Sequence, residues 1–474
     1  MTLRSSVLLL SSLASLVLEA APSSLAAVSP PPEAFHDGDR WVALGDSITH
    51  VGAYHHYIEL FWLTRYPSQT LGAVNAGIGG DTAEGALARL DWDVLPEKPT
   101  VVTIMLGMND IGRDLYTSDL PTEAVLRERS ERIASWDKNL RAIVSRLRGL
   151  GVRTVLLTPS CYDQTAMIPA PNHPGANDAL GECARRLPEI AADTGSSLVD
   201  FYGVMTAFNR DLQAKDPHST IVGPDRVHPG AAGHLLMARA FLEAQHVPAL
   251  VSKIVIDARS GQAQGCQNCE VSELVARPES AAFTCEEHAL PFPLESKDVP
   301  PEERASLIRD LDQEILQVRG LVTGRYELTI DNVPVKLVTA AELAEGINLA
   351  LEPKTAQFQQ AMGVAALLDK KWGAEGKLRG FALCEQLAWQ GDPRGVDNTL
   401  MVEKLKARIA QLSSSPAHDY FLFEEKNFEQ FKSDEPALRH DVAEFASRAH
   451  ELAQTRPHHF SLRSEGNADA LKAP

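Results

Sequence analysis

The sequence has no internal repeat and no low-complexity tract. Beyond its N-terminal segment it has no apolar run approaching the roughly 18 residues a membrane-spanning helix needs. Nor is there an excess of positive charge. Lys and Arg number 45 against 63 Asp and Glu, a formal net charge of −18, which argues against nucleic acid or an anionic lipid surface as a partner. Cysteine is sparse, six in 474 residues, so no dense disulfide framework holds this chain. At this length two domains, or one large domain with an extension, are expected.

The chain opens with "MTLRSSVLLLSSLASLVLEAAPSSLAA", which has an early Arg4, an apolar run interrupted by Glu19, and then small residues suited to a signal peptidase. Residues 1–27 read as an export signal cut near Ala26 or Ala27, with Ala20 as an alternative. The mature protein is therefore expected outside the cytoplasm, secreted or periplasmic. In such surroundings the even number of cysteines could pair, and Cys161 with Cys183 is one candidate bridge. "CQNC", fifteen intervening residues and "CEEH" give Cys266, Cys269, Cys285 and His288 the spacing of a four-ligand zinc site. Oxidising conditions favour disulfides over that reading. Cys384 lies in a helical pattern and reads as a buried thiol.

Residues 28–37, rich in proline, read as a linker. Short apolar runs follow at Trp41 to Leu44, Ala73 to Asn75, Thr100 to Leu106, Thr154 to Thr158 and Ser197 to Phe201. Amphipathic helical patterns near 55–65, 82–91, 125–149, 178–194 and 230–245 separate them or follow them. That alternation predicts a parallel sheet covered by helices on both faces. After about residue 250 the pattern changes. "GRYELTIDNVPVKLVTA" (324–340) predicts a β-hairpin turning at Asp331-Asn332, flanked by helical stretches at 300–319 and 355–391, with more helix over 396–454.

Three loops following expected strands hold chemistry. "GDSIT" places Ser47 just past the first strand, "NAGIGGDT" places Gly79 and Gly80 before a helix, and "GMND" places Asn109 past the third strand. A fourth segment, "DRVHPGAAGH", sets Asp225 and His228 three apart before a further helix. Each alone fits ordinary capping or turn chemistry. Together they supply one reaction. A serine needs a base, imidazole is the usual one near neutral pH, and a carboxylate fixes the imidazole tautomer. The amides of Ser47 and Gly80 with the Asn109 side chain would supply three oxyanion donors.

The four blocks, in that order and near those spacings, resemble the SGNH hydrolase family, also called GDSL esterases and lipases, over about residues 38–247. The resemblance implies a flavodoxin-like three-layer α/β/α fold with a parallel sheet. It also implies Ser47 as nucleophile, His228 as base, Asp225 as its partner and Ser47, Gly80 and Asn109 as oxyanion donors, with no cofactor. An α/β-hydrolase fits less well, because Thr49 stands where the G-x-S-x-G elbow needs its last glycine. The expected organisation is a signal peptide (1–27), a linker (28–37), a hydrolase domain (38–250) and a mostly helical extension (251–474) like that of long bacterial members. Polar loops such as "DIGRDLYTSD" favour short acyl groups, with acetyl esters of carbohydrates as the expected substrate, small or polymeric. Lipases, lysophospholipases and thioesterases of this fold share the same residues. A non-catalytic carbohydrate or cell-surface binding protein is the rival from another class. Within the extension, Tyr326 and Asn348 are candidates for covering the cleft, or simply for packing a hairpin and ending a helix.

Overall fold

A computed structural model describes residues 30–118, 120–294, 306, 309–395, 397–413 and 417–465; the expected signal peptide lies outside the described residues. Five strands, β1 (Asp39–Gly45), β2 (Leu71–Gly77), β3 (Val101–Met105), β4 (Arg153–Leu157) and β5 (Ser197–Val199), form a parallel sheet in the order β2-β1-β3-β4-β5. Every residue of β3 is buried, and so are Val42, Ala43 and Leu44 of β1. Such strands lack polar alternation because helices cover both faces. Those helices are α1 (Ser47–Val51), α2 (Ala53–Arg65), α3 (Ala83–Arg89), α4 (Glu123–Gly149), α5 (Ala176–Thr194), α6 (Phe201–Gln213) and α7 (Ala231–Ala244). The chain passes from β1 to β2 on one side and then back to β3 on the other. The carboxyl end of β1 is therefore a topological switch point, where a crevice opens.

The segment expected to be a linker is packed against this domain. Phe35 is 4% exposed and its ring lies 5.0 Å from Trp41 and 5.2 Å from Trp62, so burial of an aromatic anchors what proline content alone suggested was loose.

Beyond α7 come β6 (Leu250–Asp257), β7 (Gln262–Ala263), β8 (Cys269–Arg277), β9 (Ser280–Glu287), β10 (Gln313–Arg319), β11 (Arg325–Ile330), β12 (Val333–Thr339), α8 (Ala340–Glu345), β13 (Ile347–Asn348), α9 (Ala356–Trp389), α10 (Asn398–Gln411), α11 (His418–Phe431), α12 (Glu435–Ala453) and β14 (His458–Ser464). The strands make two sheets, β13-β10-β6-β7 and β12-β11-β14-β9-β8. The expected hairpin is β11 and β12, with Ile330 opposite Val333. Asp331 and Asn332 both take positive φ, 51° and 65°, as a two-residue hairpin turn requires. The helix expected over 300–319 is corrected in part. Residues 300–305, 307 and 308 lie outside the described residues, and Gln313–Arg319 is a strand paired in parallel with β6.

Helix α9 joins the two halves. Lys371 Nζ donates to Ala73 O (2.8 Å), Glu375 Oε1 accepts from Asn75 N (2.9 Å) and Arg379 Nε donates to Gly77 O (3.0 Å). A helix advances about 6 Å over four residues and a strand about 6.7 Å over two, so three successive turns of α9 meet alternate residues of β2. Side chains thereby satisfy the outer backbone groups of an edge strand, which would otherwise stand open to pairing with another chain. Glu59 of α2 completes the seam, accepting from Lys371 Nζ at 2.8 and 2.9 Å and from Trp372 Nε1 at 2.7 Å.

Candidate active site

Ser47 is the first residue of α1, directly beyond β1. Asp46 caps the helix, its Oδ1 accepting from Ile48 N at 3.0 Å. As the opening residue of a helix, Ser47 contributes a backbone N–H with no intrahelical acceptor. Burial pushes the Asp46 carboxyl up to about 6, with the His228 side working against that rise and Asp81 adding to it.

From the opposite side the loop before α7 delivers Asp225 and His228. His228 Nε2 stands 2.8 Å from Ser47 Oγ, and His228 Nδ1 stands 2.5 Å from Asp225 Oδ2. The other carboxylate oxygen, Asp225 Oδ1, accepts from the backbone N–H groups of Val227 and His228, both at 3.0 Å. Partial burial raises the Asp225 carboxyl, but hydrogen bonds from the His228 ring and these two amides outweigh it and hold the group below the ordinary carboxylate range. The side chains of His228 and Asp225 are 43% and 50% exposed, so the Ser47–His228–Asp225 array opens to solvent on one side.

The loop after β2 supplies the glycines. Gly80 has φ 78°, and a Cβ there would meet nothing within 4 Å, so its backbone faces open space in a conformation that favours glycine. Its N–H has no acceptor among the described residues. Gly79 N donates to His50 Nδ1 at 3.2 Å. That acceptor role requires an unprotonated nitrogen, and burial, reinforced by the charges of Arg379 and Arg89, lowers His50 to about 4. Gly77 permits the approach of α1, because a Cβ there would lie 2.1 Å from His50 N. Asn109, beyond β3, donates from Nδ2 to Asp81 O at 2.9 Å, and the same amide carries a second hydrogen.

Polar groups packed behind these loops had no motif to reveal them. Arg226, between Asp225 and His228, takes φ 66° and is buried. Its guanidinium donates to Asp163 O, Ala166 O, Ile168 O and Ala170 O at 2.9–3.2 Å, tying the loop of Asp225 and His228 to the long loop after β4. Arg89 holds Asp81 through Nε at 2.8 Å and Ala76 O through Nη2 at 2.8 Å. Asp110 Oδ1 accepts from Ala83 N at 2.8 Å while Oδ2 has no partner among the described residues; burial pushes this carboxyl up to about 7.

The expected Cys161–Cys183 bridge is corrected, since all six cysteines are free thiols. Cys161 and Cys183 are both free and buried. Asn209 Nδ2 lies 3.8 Å from Cys161 Sγ, and Cys183 is buried on α5. No three His, Cys, Asp or Glu side chains among the described residues are arranged to hold a metal ion. Cys266 Sγ lies against the backbone of Val255, Cys269 Sγ donates to Lys253 O at 3.4 Å, and His288 is exposed. Cys269 and Cys285 stand on the paired strands β8 and β9 with their thiols close enough to interact, and Cys266 lies beside Cys269. Cys384 is buried, as its helical setting suggested. Tyr326 donates to Val322 O and Pro278 O, and Asn348 bonds Glu314 N, Ala350 N and Asp312 O, so both serve the sheets of the extension.

Fold and family together define the class of the protein, a carboxylic ester hydrolase built on a three-layer α/β/α domain. Residues 43–236 match the model of the GDSL-like Lipase/Acylhydrolase family. An acetylxylan esterase from Geobacillus stearothermophilus is 30% identical over 220 residues, 43% of this chain and 93% of that protein. The chain belongs to the GDSL-like lipase and acylhydrolase family. A gut microbial diltiazem-metabolizing enzyme of known structure is similar over nearly the whole length, with a TM-score of 0.82, 30% identity and coverage of 92% of this chain and 100% of the other. An uncharacterized lipoprotein of Bacillus subtilis is 34% identical over 90 residues, 19% of this chain and 32% of its own length. No helix among the described residues is long and apolar enough to cross a membrane.

Proposed function

We propose that this hydrolase is an exported serine esterase that removes short acyl groups, acetyl above all, from carbohydrate esters. The observation that carries the reading is the continuous chain Asp225 Oδ2, His228 Nδ1, His228 Nε2 and Ser47 Oγ, with contacts of 2.5 and 2.8 Å. Ser47 Oγ attacks the acyl carbon as His228 Nε2 takes its proton, and Asp225 stabilises the imidazolium. The developing oxyanion is met by the N–H groups of Ser47 and Gly80 and by Asn109 Nδ2. His228 then protonates the leaving alcohol, and water, activated by the same imidazole, releases the acid. Four side chains and two amides suffice, and no step calls for a cofactor.

The acetylxylan esterase relative supports acetyl as the acyl group and a carbohydrate as the alcohol. The N-terminal signal and the lipoprotein relative support a location outside the cytoplasm. A second reading, an ester of a small ring-bearing molecule, draws support from the full-length likeness to a diltiazem-metabolizing enzyme. A panel of acetylated xylooligosaccharides, small aryl acetates and long-chain esters, run beside Ser47→Ala, separates these. The serine variant is expected to lose turnover by at least about 10⁴-fold and to resist a fluorophosphonate label. Retained turnover would remove the assignment of Ser47, and a preference for long chains would remove the acetyl reading.

A further inference from the structure

The extension reaches the loop that holds Gly80. A small apolar cluster joins Ile78 of that loop to Ala382 and Leu383 of α9, with Trp92 and Phe421 packed against it. Gln386 Nε2 donates to Asp81 Oδ1 at 2.8 Å, so Ile78 and Asp81, the residues bracketing Gly79 and Gly80, are both gripped from the C-terminal half. Beside Phe421 on α11, Tyr420 turns toward the same loop. A methyl group placed on Gly79 would stand 3.3 Å from Tyr420 Oη and 3.8 Å from its ring. Tyr420 as a residue is nevertheless 42% exposed, and its hydroxyl has no hydrogen-bond partner among the described residues.

An aromatic side chain that is half exposed, one residue from the amide of Gly80, and whose hydroxyl has no protein partner among the described residues, offers an apolar face and a polar tip to whatever is bound beside Gly80. Under the reading proposed above, on which this inference rests, the acyl group is short and ends close to Ser47. Whatever part of the substrate extends to residue 420 is then the alcohol. We infer that Tyr420, supplied by the extension, is a specificity-determining residue that contacts the alcohol portion of the bound ester and favours alcohols carrying a saturated ring, such as sugars. The ring face takes the C–H surface of the alcohol, and the hydroxyl can donate to or accept from a sugar hydroxyl.

The test compares kcat/KM on a ring acetate, peracetylated xylose or cyclohexyl acetate, with that on ethyl acetate, for the full chain and for Tyr420→Ala and Tyr420→Phe. The ratio of ring acetate to ethyl acetate is expected to fall about tenfold in Tyr420→Ala, chiefly through KM, and to recover to within about threefold in Tyr420→Phe. An unchanged ratio, whether both activities fall together or neither does, overturns the inference, as does a shift in acyl-length preference in place of alcohol preference. The parent reading fails separately, by turnover surviving in Ser47→Ala.

Discussion

Replacing Arg379 by Met tests whether the extension is part of the folded hydrolase or an appendage to it. The guanidinium donates to both oxygens of Asp93, at 2.7 and 2.8 Å, and to Gly77 O, three residues before Gly80. The pair is 8% and 7% exposed. Burial raises the Asp93 carboxyl, but the charges and hydrogen bonds of Arg379 and then Arg89 outweigh it and hold the group at about 2. A carboxyl held at about 2 rather than 3.8 stabilises the fold by about 2 kcal/mol at neutral pH. Because its pKa is depressed, that contribution is complete above pH 3.8 and is lost as pH falls toward 2. Removing one member of a buried pair typically costs about 3–5 kcal/mol. Arg89 remains bonded to Asp93, so the expected loss for Arg379→Met is near about 3 kcal/mol by urea unfolding at pH 7, and smaller at pH 2.5. Asp93→Asn in the same chain should recover part of that loss, a coupling of about 1–2 kcal/mol in the double-mutant cycle. A loss below about 1 kcal/mol, or strict additivity with Asp93→Asn, would refute the claim that this seam holds the two halves together.

Two further outcomes follow from the site. Asp225→Asn leaves the ring of His228 without the acceptor that fixes its tautomer, and kcat/KM for p-nitrophenyl acetate is expected to fall about 10³–10⁴-fold; a fall under tenfold would mean that Asp225 does not serve the imidazole. Asp110, pushed up to about 7 by burial, loses its proton more readily unfolded than folded, so it lowers stability as pH rises from about 4 to 7. Asp110→Asn keeps an acceptor for Ala83 N, and at pH 8 should stabilise by up to about 4 kcal/mol relative to pH 4. Equal effects at the two pH values, read by urea unfolding, would show that the carboxyl is solvated.

What the sequence revealed and what it hid divide along the range of the interactions. Ser47, Gly80, Asn109, Asp225 and His228 stand out because each follows a strand or precedes a helix in a local pattern, and local patterns survive in one dimension. The turn at Asp331-Asn332 is legible for the same reason, since both residues tolerate positive φ. In sequence β10 looks helical because Leu311, Ile315 and Leu316 continue the apolar spacing of the preceding stretch. Its strand identity comes from pairing with β6, some 60 residues away. Lys371, Glu375 and Arg379 look like one solvated face of a long helix. Their partners, Ala73, Asn75 and Gly77, are about 300 residues distant and offer backbone groups that no sequence pattern marks.

That seam changes how the extension should be regarded. A free edge strand would leave β2 and the Gly80 loop able to shift, and the oxyanion donor proposed at Gly80, displaced by about 1 Å, would lose most of its value. In this chain the edge is closed by charged side chains whose own burial is tolerable only because each meets an opposite charge or a backbone group: Lys371 with Glu59 and Glu375, Arg379 with Asp93. Such a seam cannot form in either half alone, since separation would leave Glu59 and Asp93 buried or newly solvated on one side and unpaired cations on the other. The residues proposed for catalysis come from four short segments of the hydrolase domain, but the rigidity of the Gly80 loop is supplied across the whole chain.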